Sequence, residues 1–130
     1  MQFTTATTAD LIKIEKLWVE IFGDSPQFAH FAANLCRPEE IYLIKENDEI
    51  AAMVNAGVDL YAYDKKGFYI YGLATVPQFR NKGYAKQLME YVEKKKLSEG
   101  YDFILTQPAG ESLFDFYRNM GYDNTIFLRK

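Results

Sequence analysis

The hydrophobic pattern changes period between residues 76 and 84, and that change limits the architecture more than any other feature. Upstream, Tyr71-Gly72-Leu73-Ala74-Thr75-Val76-Pro77 is an apolar run of strand length. Downstream, Tyr84, Ala85, Leu88, Met89 and Val92 recur at three- and four-residue steps, the mark of a helix with one buried face. The chain therefore passes from strand to helix through a basic, glycine-containing turn, Arg80-Asn81-Lys82-Gly83. Such a junction leaves backbone N–H groups of the first helical turn unpaired and able to meet an anion.

The remaining elements follow from the same patterning. Thr7 or Thr8 can cap a first helix whose apolar face is Leu11, Ile14, Leu17, Trp18, Ile21 and Phe22, stopped by Gly23-Asp24-Ser25-Pro26. A second helix is expected from Pro26 to Leu35, with Phe28, Phe31, Ala32 and Leu35 as its apolar set. Ile41–Lys45 and Ile50–Leu60 read as a hairpin across Glu46-Asn47-Asp48-Glu49, and the turn Asp64-Lys65-Lys66-Gly67 leads to a third antiparallel strand, Phe68–Val76. The long helix is expected over Asn81–Ser98, with Lys94, Lys95 and Lys96 near its negative end and Gly100 as its stop. Phe103–Thr106 then forms a short strand parallel to Phe68–Val76, reached by a right-handed crossover. A short helix, Glu111–Met120, and a last strand, Ile126-Phe127-Leu128, complete the order β-α-α-β-β-β-α-β-α-β. This is a mixed-sheet α+β fold without internal repeats or linkers.

Length and composition set outer limits. The 130 residues, 48% of them hydrophobic, suit one domain spanning 1–130 with a real core. A net charge of −3 argues against nucleic acid as the main partner, because phosphate backbones need a basic face. Cys36 and His30 are the only residues of their types, so neither an internal disulfide nor a Cys/His zinc site is expected. No basic and apolar leader and no membrane-length apolar run is present, and the expected setting is a reducing cytoplasm.

Gly83 lets a phosphate approach the backbone without a Cβ in the way, and Arg80, Lys82 and Lys86 add positive charge beside the free amides. Neither the glycine spacing of a Walker loop nor that of a Rossmann fingerprint is present, which removes those nucleotide readings. The pattern Arg80-x-x-Gly83-x-Ala85 resembles the signature of the GNAT superfamily of acetyl-CoA-dependent N-acetyltransferases. A second element of that family is matched by Phe116-Tyr117-Arg118-Asn119-Met120-Gly121-Tyr122. The likeness in element order spans essentially the whole chain.

This resemblance implies a GNAT-like central sheet, mixed but mostly antiparallel, that splays open between the strand ending at Val76 and the strand Phe103–Thr106. Backbone groups of Leu73, Ala74 and Thr75 would pair with the pantetheine arm of acetyl-CoA as with another strand. Its diphosphate would rest on the amides of Asn81, Lys82, Gly83, Tyr84, Ala85 and Lys86, beside Arg80. Tyr117 occupies the family position of the hydroxyl that protonates the departing thiolate. The acceptor would be a primary amine, on a small molecule, a protein N-terminus or a lysine, attacking directly in a ternary complex, with no metal, nucleic acid or membrane involved. An oxyanion would be met by a backbone N–H near Ala74 or Thr75.

Several positions stay open at this level. Asp59, Glu111 and Asp115 are candidates for the base, and none is assigned. Many members of the family place an Asn seven residues before the Tyr, where this chain has Gly110, with Ser112 as a candidate substitute. Tyr61, Tyr63, Tyr69 and Tyr71 form either an aromatic wall for a cationic acceptor or a packing surface, including one between two copies in a homodimer. His30 and Cys36 read as structural. The alternative functions are a non-catalytic acyl-CoA-binding sensor or partner subunit, and a structural oligomerisation domain. The chain reads equally as a whole short enzyme or as part of a longer protein.

Overall fold

The computed structural model describes residues 1–108, 110–125 and 130. Its five strands are β1 (Gln2–Thr5), β2 (Ile41–Glu46), β3 (Glu49–Ala62), β4 (Lys65–Thr75) and β5 (Phe103–Thr106), and they lie in the sheet in chain order. Neighbours from β1 to β4 are antiparallel. β5 lies parallel to β4, reached through the crossover helix α3 (Tyr84–Ser98). Helices α1 (Leu11–Phe22), α2 (Pro26–Ala33) and α4 (Glu111–Asn119) complete the described elements. The mixed, mostly antiparallel sheet flanked by helices therefore matches the order expected from the sequence up to α4. The expected strand at Ile126–Leu128 lies outside the described residues.

Strand alternation divides the core into two layers. Tyr42, Ile44, Ala52, Val54, Phe68 and Ile70 face α3, meeting Tyr84, Leu88, Met89 and Val92 together with Tyr117 of α4. Ile41, Leu43, Met53 and Ala74 face the other way, onto Ile14 and Trp18 of α1 and Ala29, Ala32 and Ala33 of α2. The start of α1 is tied to the sheet through Asp10. That carboxylate accepts the Thr7 N–H at 2.9 Å and the Thr7 hydroxyl at 3.1 Å, and pairs with Lys45 of β2 at 3.0 Å.

Three local expectations are corrected and a fourth is extended. α2 ends at Ala33 and buries its alanines, while Phe28 and Phe31 are exposed, Phe31 at 57%; α2 meets the core through small side chains, which let a helix approach closely. α3 begins at Tyr84 because Asn81 and Gly83 both have left-handed φ, +68° and +75°, which a right-handed helix cannot contain. The β3–β4 turn is the tight pair Tyr63-Asp64, with Ala62 opposite Lys65, so Lys65, Lys66 and Gly67 belong to β4. Lys96 lies in the last turn of α3 as expected, and it is also buried there: it is 1% exposed, and its ammonium meets the Glu40 carboxylate at 2.7 Å.

The Lys96 ammonium also lies 4.7 Å from the centre of the Tyr101 ring and 5.4 Å from that of Phe68, so its charge is shared between one carboxylate and two π faces. This pair clamps the last turns of α3 to the segment entering β2. Replacing Lys96 with Ala strands Glu40 without its partner and opens a gap under Phe68. The expected loss is about 3–5 kcal/mol of unfolding free energy, read by urea denaturation; a change below about 1 kcal/mol, the range of a surface ion pair, would show the clamp to be incidental.

Candidate functional site

The site begins with one extra residue in β4. Between the pairs Asn55↔Tyr71 and Met53↔Ala74, β3 advances two residues and β4 three, which places a bulge at Gly72. Gly72 has φ +68°, and a β-carbon there would collide with the indole of Trp18. The bulge reverses the facing of the strand: Ile70 packs toward α3 and Tyr71 toward α1, yet Leu73 faces α3 and Ala74 faces α1. Alternation is regular up to Tyr71 and inverted after Gly72, and an extra residue of this kind bends the strand that carries it.

The bend coincides with the end of pairing to β5. β4 and β5 are joined only from Gly67↔Phe103 to Ile70↔Thr106, whereas β4 stays paired to β3 as far as Thr75↔Ala52. From Tyr71 to Thr75, β4 thus has a partner on one edge and a gap on the other. The gap opens into a cleft of about 440 Å³ lined by Leu73, Ala74 and Thr75 of β4, the turn and first helical residues Arg80, Asn81, Gly83, Tyr84, Ala85 and Lys86, Ile21 and Phe22 of α1, and Leu113 and Phe116 of α4.

Every cofactor-contacting residue expected from the sequence lines this cleft except Lys82. The Lys82 ammonium instead reaches Glu46 at 3.4 Å, across the ring faces of Phe79 and Tyr84. Arg80 is anchored in the cleft wall, its Nε donating to the Thr75 carbonyl at 3.1 Å, so the turn is latched to the end of β4. At the start of α3, Gly83 is the N-cap, without a side-chain cap bond, and its carbonyl accepts the Gln87 N–H at 3.1 Å. The amides of Tyr84, Ala85 and Lys86 precede the first intrahelical bond and are free to receive an anion.

Tyr117 stands behind the cleft rather than on its wall. It is 6% exposed, its ring 5.1 Å from that of Phe116, which does line the cleft, and 5.3 Å from that of Tyr122. Its hydroxyl neighbours Thr106, the last residue of β5, where the two strands part. Burial pushes this phenol above its ordinary range, and the Thr106 hydroxyl offsets part of the rise. At neutral pH Tyr117 therefore holds its proton.

The three carboxylates left open as bases are not among the lining residues. Asp59 accepts the Tyr101 hydroxyl at 2.6 Å and faces Lys66 at 3.9 Å, at the far end of β3. Asp115 pairs with Arg118 at 3.6 Å, and Glu111 is exposed in the first turn of α4. The tyrosine strip divides: Tyr61 and Tyr63 are exposed on the β3–β4 hairpin, while Tyr71 lies against Trp18 of α1 with the Tyr69 ring beside it. His30 pairs with Glu15 at 3.0 Å, and the Cys36 thiol donates to Asn55 at 3.1 Å. Sequence reasoning placed Ile21 and Phe22 in the helix core and passed over their exposure to the cleft. Gly72 inside an apolar run was the available signal for the bulge. Among the described residues no group of His, Cys, Asp and Glu side chains is arranged to hold a metal ion, and no helix is long and apolar enough to cross a membrane.

The model of the acetyltransferase (GNAT) family matches residues 9–122. No curated protein sequence gives a significant match. Among solved structures, a protein from Pyrococcus furiosus assigned as an acetyl transferase superposes with a TM-score of 0.79 at 20% identity, over 99% of this chain and 98% of that one. An aminoglycoside acetyltransferase from an uncultured soil metagenomic sample, solved in complex with sisomicin, gives 0.74 at 16% identity, over 99% and 93%. The NatC complex bound to Gag peptide and CoA gives 0.79 at 20% identity, over 96% and 86%.

Gly72→Ala tests whether the bulge holds the cleft open. A β-carbon there must be accommodated both at a left-handed φ and against Trp18, which together cost about 2–4 kcal/mol. A lowered urea midpoint is expected, with weakened binding of acetyl-CoA in calorimetry. Wild-type stability and affinity would show that the strand parts from β5 for another reason.

Proposed function

The chain belongs to the GNAT acetyltransferase family, and from that premise we propose that it moves an acetyl group from acetyl-CoA to a primary amine by direct attack in a ternary complex, the whole chain acting as one acetyltransferase domain. The observation that carries this reading is the parting of β4 from β5 above a cleft that collects both the free strand edge and the free helix amides. An extended arm ending in a diphosphate needs those two kinds of donor in that order.

In this reading Leu73, Ala74 and Thr75 pair with the pantetheine arm, and the turn from Asn81 to Lys86 receives the diphosphate, with Arg80 and Lys86 supplying charge. Lys82 contributes its backbone rather than its ammonium. The cleft's volume and its basic rim support that fit; the NatC neighbour was solved with CoA. The acetyl carbonyl then lies at the β4 bulge, where a backbone N–H near Ala74 or Thr75 faces the developing oxyanion.

A lysine-like amine, of pKa near 10.4, must lose a proton before it attacks. The new C–N bond forms as the C–S bond breaks, and the thiolate leaves with a pKa of about 8.5. Tyr117, kept protonated by burial beside Thr106 where β4 and β5 part, donates its proton to a sulfur that enters between the strands to that point, and is reprotonated once CoA leaves. Water reached from the acceptor side takes the amine proton, since Asp59, Glu111 and Asp115 are placed elsewhere.

Acetyl-CoA binding by calorimetry, followed by thiol release against an amine panel, tests the reading. Binding with release supports it; binding without release from any amine favours the sensor alternative, in which Gly110 stands where family members place an Asn. Tyr117→Phe is expected to lower kcat roughly 100-fold, the lower range for loss of a general acid, with little change in KM for acetyl-CoA. Unchanged kcat with the chemical step rate-limiting would remove Tyr117 from the reaction.

A further inference from the structure

On the opposite side of the Gly72 bulge from the cofactor groove, a continuous aromatic surface starts at the cleft itself. Phe22 lines the cleft and meets Trp18 in a tilted contact, ring centres 4.9 Å apart; Trp18 meets Tyr71 at 5.5 Å, and Tyr71 meets Tyr69 at 6.2 Å. Phe22, Tyr69 and Tyr71 are only half-buried, so their outer faces are available. Trp18, 5% exposed, is the backing that holds them.

One carboxylate is built into this surface. Gly23 ends α1 in a left-handed conformation and turns Asp24 back over the helix, where its Oδ2 accepts the Trp18 indole N–H at 2.8 Å. The carboxylate is half-buried and keeps its second oxygen free of any protein hydrogen bond among the described residues. It lies within electrostatic reach of Tyr71: burial first, then Asp24, then Tyr69 push that phenol up. The cleft lining itself carries Arg80 and Lys86, whereas Asp24, Tyr69 and Tyr71 lie beyond the lining, next to Phe22 through Trp18.

We propose that Phe22, Tyr69, Tyr71 and Asp24 form the acceptor subsite, and that they select a small amine bearing one positive charge on an aromatic or aliphatic body. This rests on the acetyl-transfer reading and names its acceptor class. The rings cover the apolar body and offer π faces to the ammonium, while Asp24 draws the charge to the rim of the cleft. A polycation such as an aminoglycoside would need several carboxylates, and this surface supplies one. Because an ammonium held by a carboxylate is stabilised in its charged form, Asp24 recruits the acceptor, and the amine gives up its proton to water as it moves from Asp24 to the bulge.

Asp24→Asn isolates the charge, since an amide oxygen still accepts the Trp18 indole bond. With 2-phenylethylamine as acceptor, the variant is expected to raise the amine KM about 10- to 100-fold, the worth of a charge-assisted hydrogen bond, with the KM for acetyl-CoA unchanged and partial recovery in Asp24→Glu. Trp18 is the only tryptophan, so docking of 2-phenylethylamine onto the CoA-saturated protein also reads as a saturable change in its emission, without turnover. Preference for sisomicin or spermine over 2-phenylethylamine, or an amine KM untouched by Asp24→Asn, overturns the acceptor class while leaving acetyl transfer standing. Thiol release from no amine, with acetyl-CoA still bound and Trp18 emission unmoved, overturns both.

Discussion

One inserted residue in β4 organises the rest of the molecule. A strand that paired with β5 along its full length would present no free edge, and a strand without a bulge would keep its side chains in a single alternation. Gly72 changes both: it reverses the facing of everything after Tyr71 and ends the contact with β5 at Ile70. The left-handed φ and the close approach of Trp18 each exclude a side chain there, so the requirement for glycine is doubly determined. The cost of the lost strand pairing is met elsewhere, by β3 pairing along β4 to Thr75 and by Arg80, which binds the Thr75 carbonyl and ties the turn to the strand end.

Charge is arranged around the same point. The protein carries a net −3, yet Arg80 and Lys86 stand on the cleft wall beside amides that no capping side chain satisfies. Lys82 and Lys96 are spent on structure, one paired with Glu46 at the surface and the other with Glu40 in the interior. The local field at the turn is therefore set by a few placed groups and the helix terminus, not by overall composition. Asp24, on the α1 side of the bulge, supplies the opposite sign.

Much of this was legible in the sequence because it rests on period and on local turn chemistry. The switch from strand to helix after Val76 and the crossover to Phe103–Thr106 follow from patterns within a few tens of residues, while the grouping of Leu73–Thr75 with the turn around Gly83 was implied by the family resemblance. What was not legible depends on partners distant in sequence. Phe28 and Phe31 look like a buried face until the alanines of α2 are seen to make the close contact, and Lys96 reads only as a helix-end cation until Glu40, 56 residues earlier, meets it in the interior. Asp59 reads as facing the acceptor until Tyr101 and Lys66 are found holding it. The same limit hid the link between Asp24 and Trp18, since the residues after Phe22 read only as a helix stop.

The central claim is that the free edge of β4 and the first turn of α3 act together as one receptor for an extended thioester nucleotide. Titrating acetyl-CoA into isotopically labelled protein and following backbone amide resonances tests this most directly. Saturable shifts at Leu73, Ala74 and Thr75 moving in step with those at Gly83, Tyr84, Ala85 and Lys86 are expected. Shifts confined to one of the two groups, or spread over surface residues away from the cleft, would contradict it.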